Sequence, residues 1–372
     1  MKTKIRVALV HDPILGIGGS DDVLLEFHRM FPDAPVFTAI FNPSRGRARF
    51  QDLQLRTSFL QGMPRLGRYY EAIVPLLPLA YENFDLRGFD LVLTSSHACS
   101  KGVIPPAEAL HVCYCHTPMR YAWSHREEYL ERVPMKPLVS PIARLVLARM
   151  RRWDFIAAQR VDHYIANSRT VRRRIAKYYR RDSEVVYPPV DLTRFTVSPL
   201  PPGSENRYLV VSRLVQYKRV EVAVEACTRL GLPLTVIGDG PESTRLRRAA
   251  GPTITFLGEV DDRTIESAYR SCRALIFTAD EDFGIVPLEA MACGRPVLAL
   301  NKGGATETVI PGVTGVLYED AGVEALVEAL TAFRPTDFNP AACRARAEEF
   351  SVSQFHCGVK TILERELGRS LE

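Results

Sequence analysis

Residues 274–300 read ALIFTADEDFGIVPLEAMACGRPVLAL. An apolar run, Ala274–Thr278, leads into an acidic loop, Asp280–Gly284. A helical pattern over Ile285–Cys293 follows, and then a second apolar run, Pro296–Leu300. Two fully apolar strands joined by one helix form a parallel βαβ unit, covered on both faces. The alternation recurs along the whole chain. In the first half the apolar runs are Ile5–Val10, Val36–Phe41, Leu91–Ser95, His111–Cys115, Val161–Ala166 and Val185–Tyr187. In the second they are Tyr208–Ser212, Leu234–Ile237, Thr253–Leu257, Ala274–Thr278, Pro296–Leu300 and Gly315–Tyr318. Between the two sets lies TVSPLPPGSENR, residues 196–207, whose three prolines and glycine mark a linker. The pattern predicts an α/β protein of two Rossmann-like, doubly wound domains, residues 1–195 and 207–350, followed by a helical segment at 351–372.

Bulk properties agree. A chain of 372 residues exceeds one typical core. Hydrophobic content of 46% and charged content of 24% describe a soluble globular protein. No run approaches the roughly 18 apolar residues of a membrane span. The opening MKTKIRVALVHDP reads as a first strand, not a secretion signal. Eight cysteines without a C-x-x-C pair favour buried thiols in a reducing cytoplasm. The net charge of +5 is uneven. Residues 1–200 hold 29 Lys/Arg against 19 Asp/Glu, and residues 141–181 alone hold 12 basic side chains against Asp154 and Asp162. Nucleic acid, an anionic membrane and a phosphorylated substrate all suit such a face.

In doubly wound folds ligands sit beyond the carboxyl ends of the strands, so the segment after each strand carries the chemistry. After the first strand comes HDPILGIGGSDD, with Gly16, Gly18 and Gly19 ahead of a helix starting at Asp21 or Asp22. Such a turn is an anion site or simply a tight turn; it lacks the dinucleotide and P-loop fingerprints. After the fourth comes CYCHTPMRYAW, which puts His116 at the sheet rim with Arg120, Tyr121 and Trp123 close behind. After the first strand of the second half, Arg213 and Lys218 either straddle a diphosphate or form a solvated basic turn. In the opening stretch Glu281 lies in the loop and Glu289 two turns into the helix, beside the helix-start N–H groups of Phe283, Gly284, Ile285 and Val286. Carboxylates clamp hydroxyls and free N–H groups meet oxygens, so the ligand expected is polyhydroxylated and carries a diphosphate. The rival reading makes Asp280-Glu281-Asp282 a metal triplet. Arg213 and Lys218 already supply positive charge there, so no metal and no cofactor is expected.

These motifs resemble the retaining glycosyltransferases of family 4, with the GT-B architecture, and among them the bacterial mannosyltransferase-like enzymes of surface-polysaccharide assembly. The likeness rests on Glu281-x7-Glu289 and its filling, SRL-x3-K at 212–218, IGDGPE at 237–242, GG-x2-E at 303–307, PPVD at 188–191, the CHTP-x-RYAW run and the early glycine pair. It implies two domains facing across a cleft, the first binding acceptor and the second nucleotide sugar, with the last helix returning to the first. Arg213 and Lys218 would hold the donor diphosphate, Glu289 the ribose, and Glu281 with the backbone of Phe283–Val286 the sugar. His116 would face the sugar, Gly18 and Gly19 would let the first loop close over the phosphates, and Arg120 and Tyr121 would meet the acceptor. Relatives commonly carry Glu-Arg after the early glycines, whereas here Ser20-Asp21-Asp22 stands.

The implied reaction is metal-independent, same-face transfer of a hexose to a saccharide acceptor in polysaccharide or lipopolysaccharide assembly. Mannose from GDP-mannose is the first expectation and another GDP- or UDP-hexose the second. A non-catalytic sugar-nucleotide-binding protein is the alternative class. The acceptor is expected to be lipid-linked, which places the enzyme in the cytoplasm at the inner leaflet of the plasma membrane. Ile142, Leu145, Val146, Met150, Trp153 and Ile156 interleave with arginines, so residues 141–181 are expected to meet an anionic membrane. The same residues could instead face the core. No aromatic readout pattern accompanies the basic cluster, which argues against nucleic acid.

Overall fold

The computed structural model describes residues 4–16, 18–43, 47–63, 73–124, 126–131, 136–199 and 207–371. The chain forms two compact units, Met1–Tyr187 with His356–Glu372 (unit 1) and Pro188–Phe355 (unit 2). It passes from one to the other at Tyr187–Pro188 and returns at Phe355–His356. Residues 200–206 of the expected linker lie outside the described residues.

Unit 1 is built on seven strands: β1 (Val7–His11), β2 (Val36–Thr38), β3 (Leu55–Thr57), β4 (Leu91–Ser96), β5 (Leu110–Cys115), β6 (His163–Ala166) and β7 (Glu184–Val185). Their order is β3-β2-β1-β4-β5-β6-β7, and every neighbouring pair is parallel. β1 and β4 are buried along their whole length, which is why they read as continuous apolar runs. β3 has no such signature. It is a short, largely exposed edge strand, and its Arg56 lies over the Phe37 ring, 5.4 Å from the centroid. Helix α1 (Gly19–Met30) follows β1, and α2 (Lys136–Gln159) and α3 (Arg169–Tyr179) flank β6 in the chain.

Unit 2 repeats the plan with β8 (Tyr208–Val211), β9 (Leu234–Ile237), β10 (Ile254–Gly258), β11 (Ala274–Phe277), β12 (Val297–Leu300) and β13 (Gly315–Tyr318), in the order β10-β9-β8-β11-β12-β13. All are parallel. Its helices include α4 (Val220–Arg229), α5 (Asp262–Ser271) and α6 (Val286–Ala292). The order reverses between β1 and β4 in one unit and between β8 and β11 in the other. At each reversal adjacent loops diverge and leave a crevice at the carboxyl ends of the strands.

The last helix, α7 (Val352–Leu367), contributes its residues from His356 onward to unit 1. There Val359, Ile362 and Leu363 are buried, His356 Nε2 lies 3.0 Å from Glu26 Oε2 of α1, and Arg365 Nη1 donates to Glu184 Oε2 at 3.1 Å. All eight cysteines are unpaired thiols; seven are buried and Cys357 is exposed.

Candidate active site

The two loops at the unit 2 reversal meet through side chains. Lys218, at the end of a short 3-10 turn (Gln216–Lys218) after β8, pairs its ammonium with the Glu281 carboxylate in the loop after β11. Their side chains are only 15% and 19% exposed, so the pair is largely shielded from water. Thr278 Oγ1 donates to Lys218 O at 2.8 Å and fixes the lysine backbone against the end of β11. Arg213 lies two residues beyond β8, is exposed, and pairs with no carboxylate among the described residues.

Glycines set the shape of the Glu281 loop. Gly284 has φ of +79°, and a Cβ there would come within 2.8 Å of Phe277 Cζ. Gly303 and Gly304, after β12, pack against the loop so closely that a Cβ on Gly303 would lie 2.1 Å from Glu281 O. Gly304 N–H donates to that same carbonyl at 2.8 Å. This contact explains the pairing of the GG-x2-E stretch with the E-x7-E stretch in one sequence. The three acids do not converge: Asp280 is exposed, Asp282 is buried, and Glu281 turns to Lys218.

Helix α6 begins later than its periodicity suggests. Val286 is its first residue, and Leu288 and Glu289 N–H donate to Ile285 O at 2.9 and 3.1 Å. That start differs by one residue from the expected Ile285, and Glu289, four residues beyond Ile285, stands in the first turn rather than two turns in, close to the helix-start N–H groups. Phe283 and Gly284 are buried, while Ile285 and Val286 keep partial access to solvent. The Glu289 carboxylate does not join the Lys218 pair. Tyr269 of α5 donates its hydroxyl to Glu289 Oε2 at 2.6 Å. Burial first, and then the Glu289 charge, push the Tyr269 phenol well above its ordinary range, so it remains a donor. Sequence reading missed Tyr269, whose only signal is its place four residues after Ile265 on one helix face.

In unit 1 a second group of side chains gathers at the carboxyl ends of β1, β4 and β5. Asp12, fully buried, accepts the N–H groups of His97, Ala98, Cys99 and Ser100 at 2.6–2.9 Å and so ties the loop after β1 to the loop after β4. Burial alone would raise its pKa. The nearby His97 and these N–H groups prevail and hold it at about 2. His116 follows β5, with Nε2 2.8 Å from Ser95 Oγ and the Tyr114 ring 5.2 Å away. Burial, reinforced by His97, sets its pKa well below the ordinary range, so the imidazole is neutral at pH 7.

Gly18 caps α1 in extended conformation, and its N–H donates to Asp21 Oδ2 at 2.7 Å; Gly19 is the first helical residue. Asp21 Oδ1 lies 3.2 Å from His11 Nε2, and Asp22 pairs with Arg49. The Ser20-Asp21-Asp22 departure thus has a local role, because Asp21 holds the glycine turn. Tyr121 packs on the unit 1 core with its hydroxyl 3.8 Å from Cys99 Sγ, and Arg120 in the same turn is partly exposed.

The sequence matches the family described as Glycosyltransferase Family 4 over residues 17–194 and that described as Glycosyl transferases group 1 over residues 194–349. The chain belongs to glycosyltransferase family 4. It is a glycosyltransferase with the GT-B fold. Human alpha-1,3/1,6-mannosyltransferase ALG2 is 26% identical over 85% of this chain and 84% of its own length. A GDP-mannose-dependent alpha-mannosyltransferase of Mycolicibacterium smegmatis is 34% identical over 32% of each chain. Among solved structures, Anabaena HepE in complex with UDP-glucose superposes with a TM-score of 0.71 at 19% identity, over 96% of this chain and 99% of that one.

Proposed function

We propose that this glycosyltransferase moves mannose from GDP-mannose, with retention, to a saccharide acceptor carried on a lipid. The observation that carries the reading is the Lys218–Glu281 pair at the β8/β11 reversal, beside the first turn of α6. A cation and a carboxylate side by side suit a ligand that is anionic at one end and hydroxylated at the other. Lys218 and the exposed Arg213 take the donor diphosphate. Glu281 and the backbone of Phe283–Val286 take sugar hydroxyls, and Glu289, oriented by Tyr269, takes the ribose. In unit 1 the neutral His116 offers a hydrogen-bonding group to a sugar, Gly18 and Gly19 form the turn assigned to phosphate, and Arg120 and Tyr121 are assigned to the acceptor. Mannose and GDP are supported by the names of two relatives, ALG2 and the Mycolicibacterium enzyme.

In the proposed step the bond from the sugar anomeric carbon to the diphosphate oxygen breaks, and both electrons leave with the oxygen. The acceptor hydroxyl oxygen bonds to the same carbon on the same face, and its proton passes to the departing phosphate oxygen. Charge grows on the diphosphate, where Lys218 and Arg213 stabilise it without a metal. A lipid-linked acceptor places the enzyme in the cytoplasm at the inner leaflet, for polysaccharide or lipopolysaccharide assembly.

A thermal-shift panel of GDP-mannose, other GDP-hexoses and UDP-hexoses tests the donor. A true donor at a hundredfold excess over its Kd stabilises by roughly 2.7 kcal/mol. UDP-glucose is the second arm, because it is the molecule bound to HepE. Stabilisation by a UDP-hexose alone would replace the GDP-mannose reading. Nucleotide release that is faster with acceptor than without separates a transferase from a sugar-nucleotide-binding protein.

A further inference from the structure

The basic segment of unit 1 is not uniformly amphipathic. Along α2, Met150 is buried, and Val146 and Trp153 pack on the core. Ile142, Leu145 and Ile156 do the reverse, with 64%, 71% and 59% of their surface exposed. They fall with Arg149 and Arg152 at positions 142, 145, 149, 152 and 156, a spacing that keeps all five on one helix face. Three exposed aliphatic side chains aligned on one stripe, with the partly exposed Phe155 beside them, form an apolar surface of the kind that marks an interaction site.

Charge narrows the choice of partner. Arg149, Arg151 and Arg152 pair with no carboxylate among the described residues. The acid nearest in sequence, Asp154, is fully buried and engaged by Lys101, Trp123 Nε1 and Tyr179 OH. A cleft of about 540 Å³ opens beside the stripe, lined by Trp123, Arg151, Arg152, Phe155 and Ile156. Tyr178 of α3 stacks on Trp123 at 4.9 Å, and Lys177 Nζ lies 6.0 Å from the Tyr178 ring, which adds a further cation near the cleft. Aliphatic tips with Arg149 and Arg152 on one face, and Arg151 over the Trp123 ring (5.9 Å to its centroid) at the cleft beside it, match a surface that is apolar below and anionic above.

We propose that the outer stripe of α2, with the arginine-lined cleft beside Trp123, is a docking surface for an anionic phospholipid bilayer. Ile142, Leu145 and Ile156 enter the boundary between headgroups and acyl chains, while Arg149, Arg151 and Arg152 hold lipid phosphates at its level. No helix among the described residues is long and apolar enough to cross a membrane. The proposal builds on the lipid-linked acceptor reading, yet its test uses no sugar, so each can fail alone.

The test is cosedimentation of the full chain with phosphatidylglycerol vesicles and with phosphatidylcholine vesicles. The wild-type protein should bind the former at low salt, release as salt rises, and bind the latter weakly. Arg149→Gln, Arg151→Gln and Arg152→Gln combined should lower the partition constant by about a hundredfold, at roughly fivefold per charge. Ile142→Ser, Leu145→Ser and Ile156→Ser combined should lower it by about tenfold or more without moving the thermal midpoint, because these side chains are exposed. No binding to phosphatidylglycerol at low salt overturns the proposal. So does unchanged binding by the serine variant, which would leave only electrostatic adsorption. A mass in light scattering that shows a dimer in wild type and a monomer in the serine variant would assign the stripe to a second copy instead.

Discussion

Replacing Glu281 by Gln should separate two properties that most active-site variants lose together. Without ligand, Lys218 has Glu281 as its partner, and both side chains are mostly shielded. A nucleoside diphosphate that claims Lys218 must compete with that carboxylate and also accept its repulsion. A shielded but not dry pair of this kind couples by about 1–2 kcal/mol, between the exposed and buried limits. Glu281→Gln returns that energy to the ligand, so GDP should bind about five- to thirtyfold more tightly. Lys218→Met should weaken GDP by a similar factor or more, since the cation itself is lost. Transfer should fall by two orders of magnitude or more in both variants. One lost charge contact at a developing transition state costs roughly 2.7–4 kcal/mol. Titration calorimetry with GDP, paired with turnover of GDP-mannose, reads both effects. If Glu281→Gln weakens GDP as much as Lys218→Met does, the two residues do not compete for one seat and the assignment of Lys218 to the diphosphate fails.

Tyr269→Phe leaves the Glu289 carboxylate without its phenol donor; a hydrogen bond to a charged group is worth about 1.5–3 kcal/mol, so KM for the donor should rise about tenfold or more with kcat little changed. Equal loss in kcat would move Glu289 from nucleotide binding to the chemical step. Asp12→Asn bears on unit 1. The Asp12 pKa falls from 3.8 to about 2 on folding, so its charge adds about 2 kcal/mol above the unfolded value, and this is lost as pH drops from 3.8 towards 2. The variant should melt about 4–8 °C lower at pH 7, and the gap should narrow near pH 3; a gap independent of pH would show that the ionised carboxylate is not what matters. Transfer should continue in excess chelator, and complete loss restored by magnesium would revive the acidic triplet as a metal site.

Much of this arrangement was legible in the sequence because parallel strands buried on both faces leave unbroken apolar runs. Of the unit 1 strands, β3 was not, since an edge strand containing Arg56 has no apolar run to read. The helix-start position of Glu289 was misjudged for a different reason. The helix starts at Val286, one residue after the expected Ile285, and the four residues from Ile285 to Glu289 span only about one turn at 3.6 residues per turn, not two. The residues after β8 and β11 were recognisable by type, while the Lys218–Glu281 contact depends on strand order, which no local pattern contains. Tyr269 and Asp12 were missed because each acts through a partner distant in sequence. On α2 the alternation of Ile and Arg was visible, but which aliphatic side chains face the core became clear only from the packing of Met150 and Trp153.

The return of the chain to unit 1 at His356 makes the two units unequal in what each needs to fold. Unit 2 is one uninterrupted segment and needs no residue beyond Phe355 to complete its fold. Unit 1 is made first yet is completed last, because α1 waits for His356 opposite Glu26, and β7 for Arg365 opposite Glu184. Until then the surface that will receive Val359, Ile362 and Leu363 stays uncovered. A chain truncated after Phe355 should therefore present a protease-resistant unit 2 beside a unit 1 that is still open to cleavage.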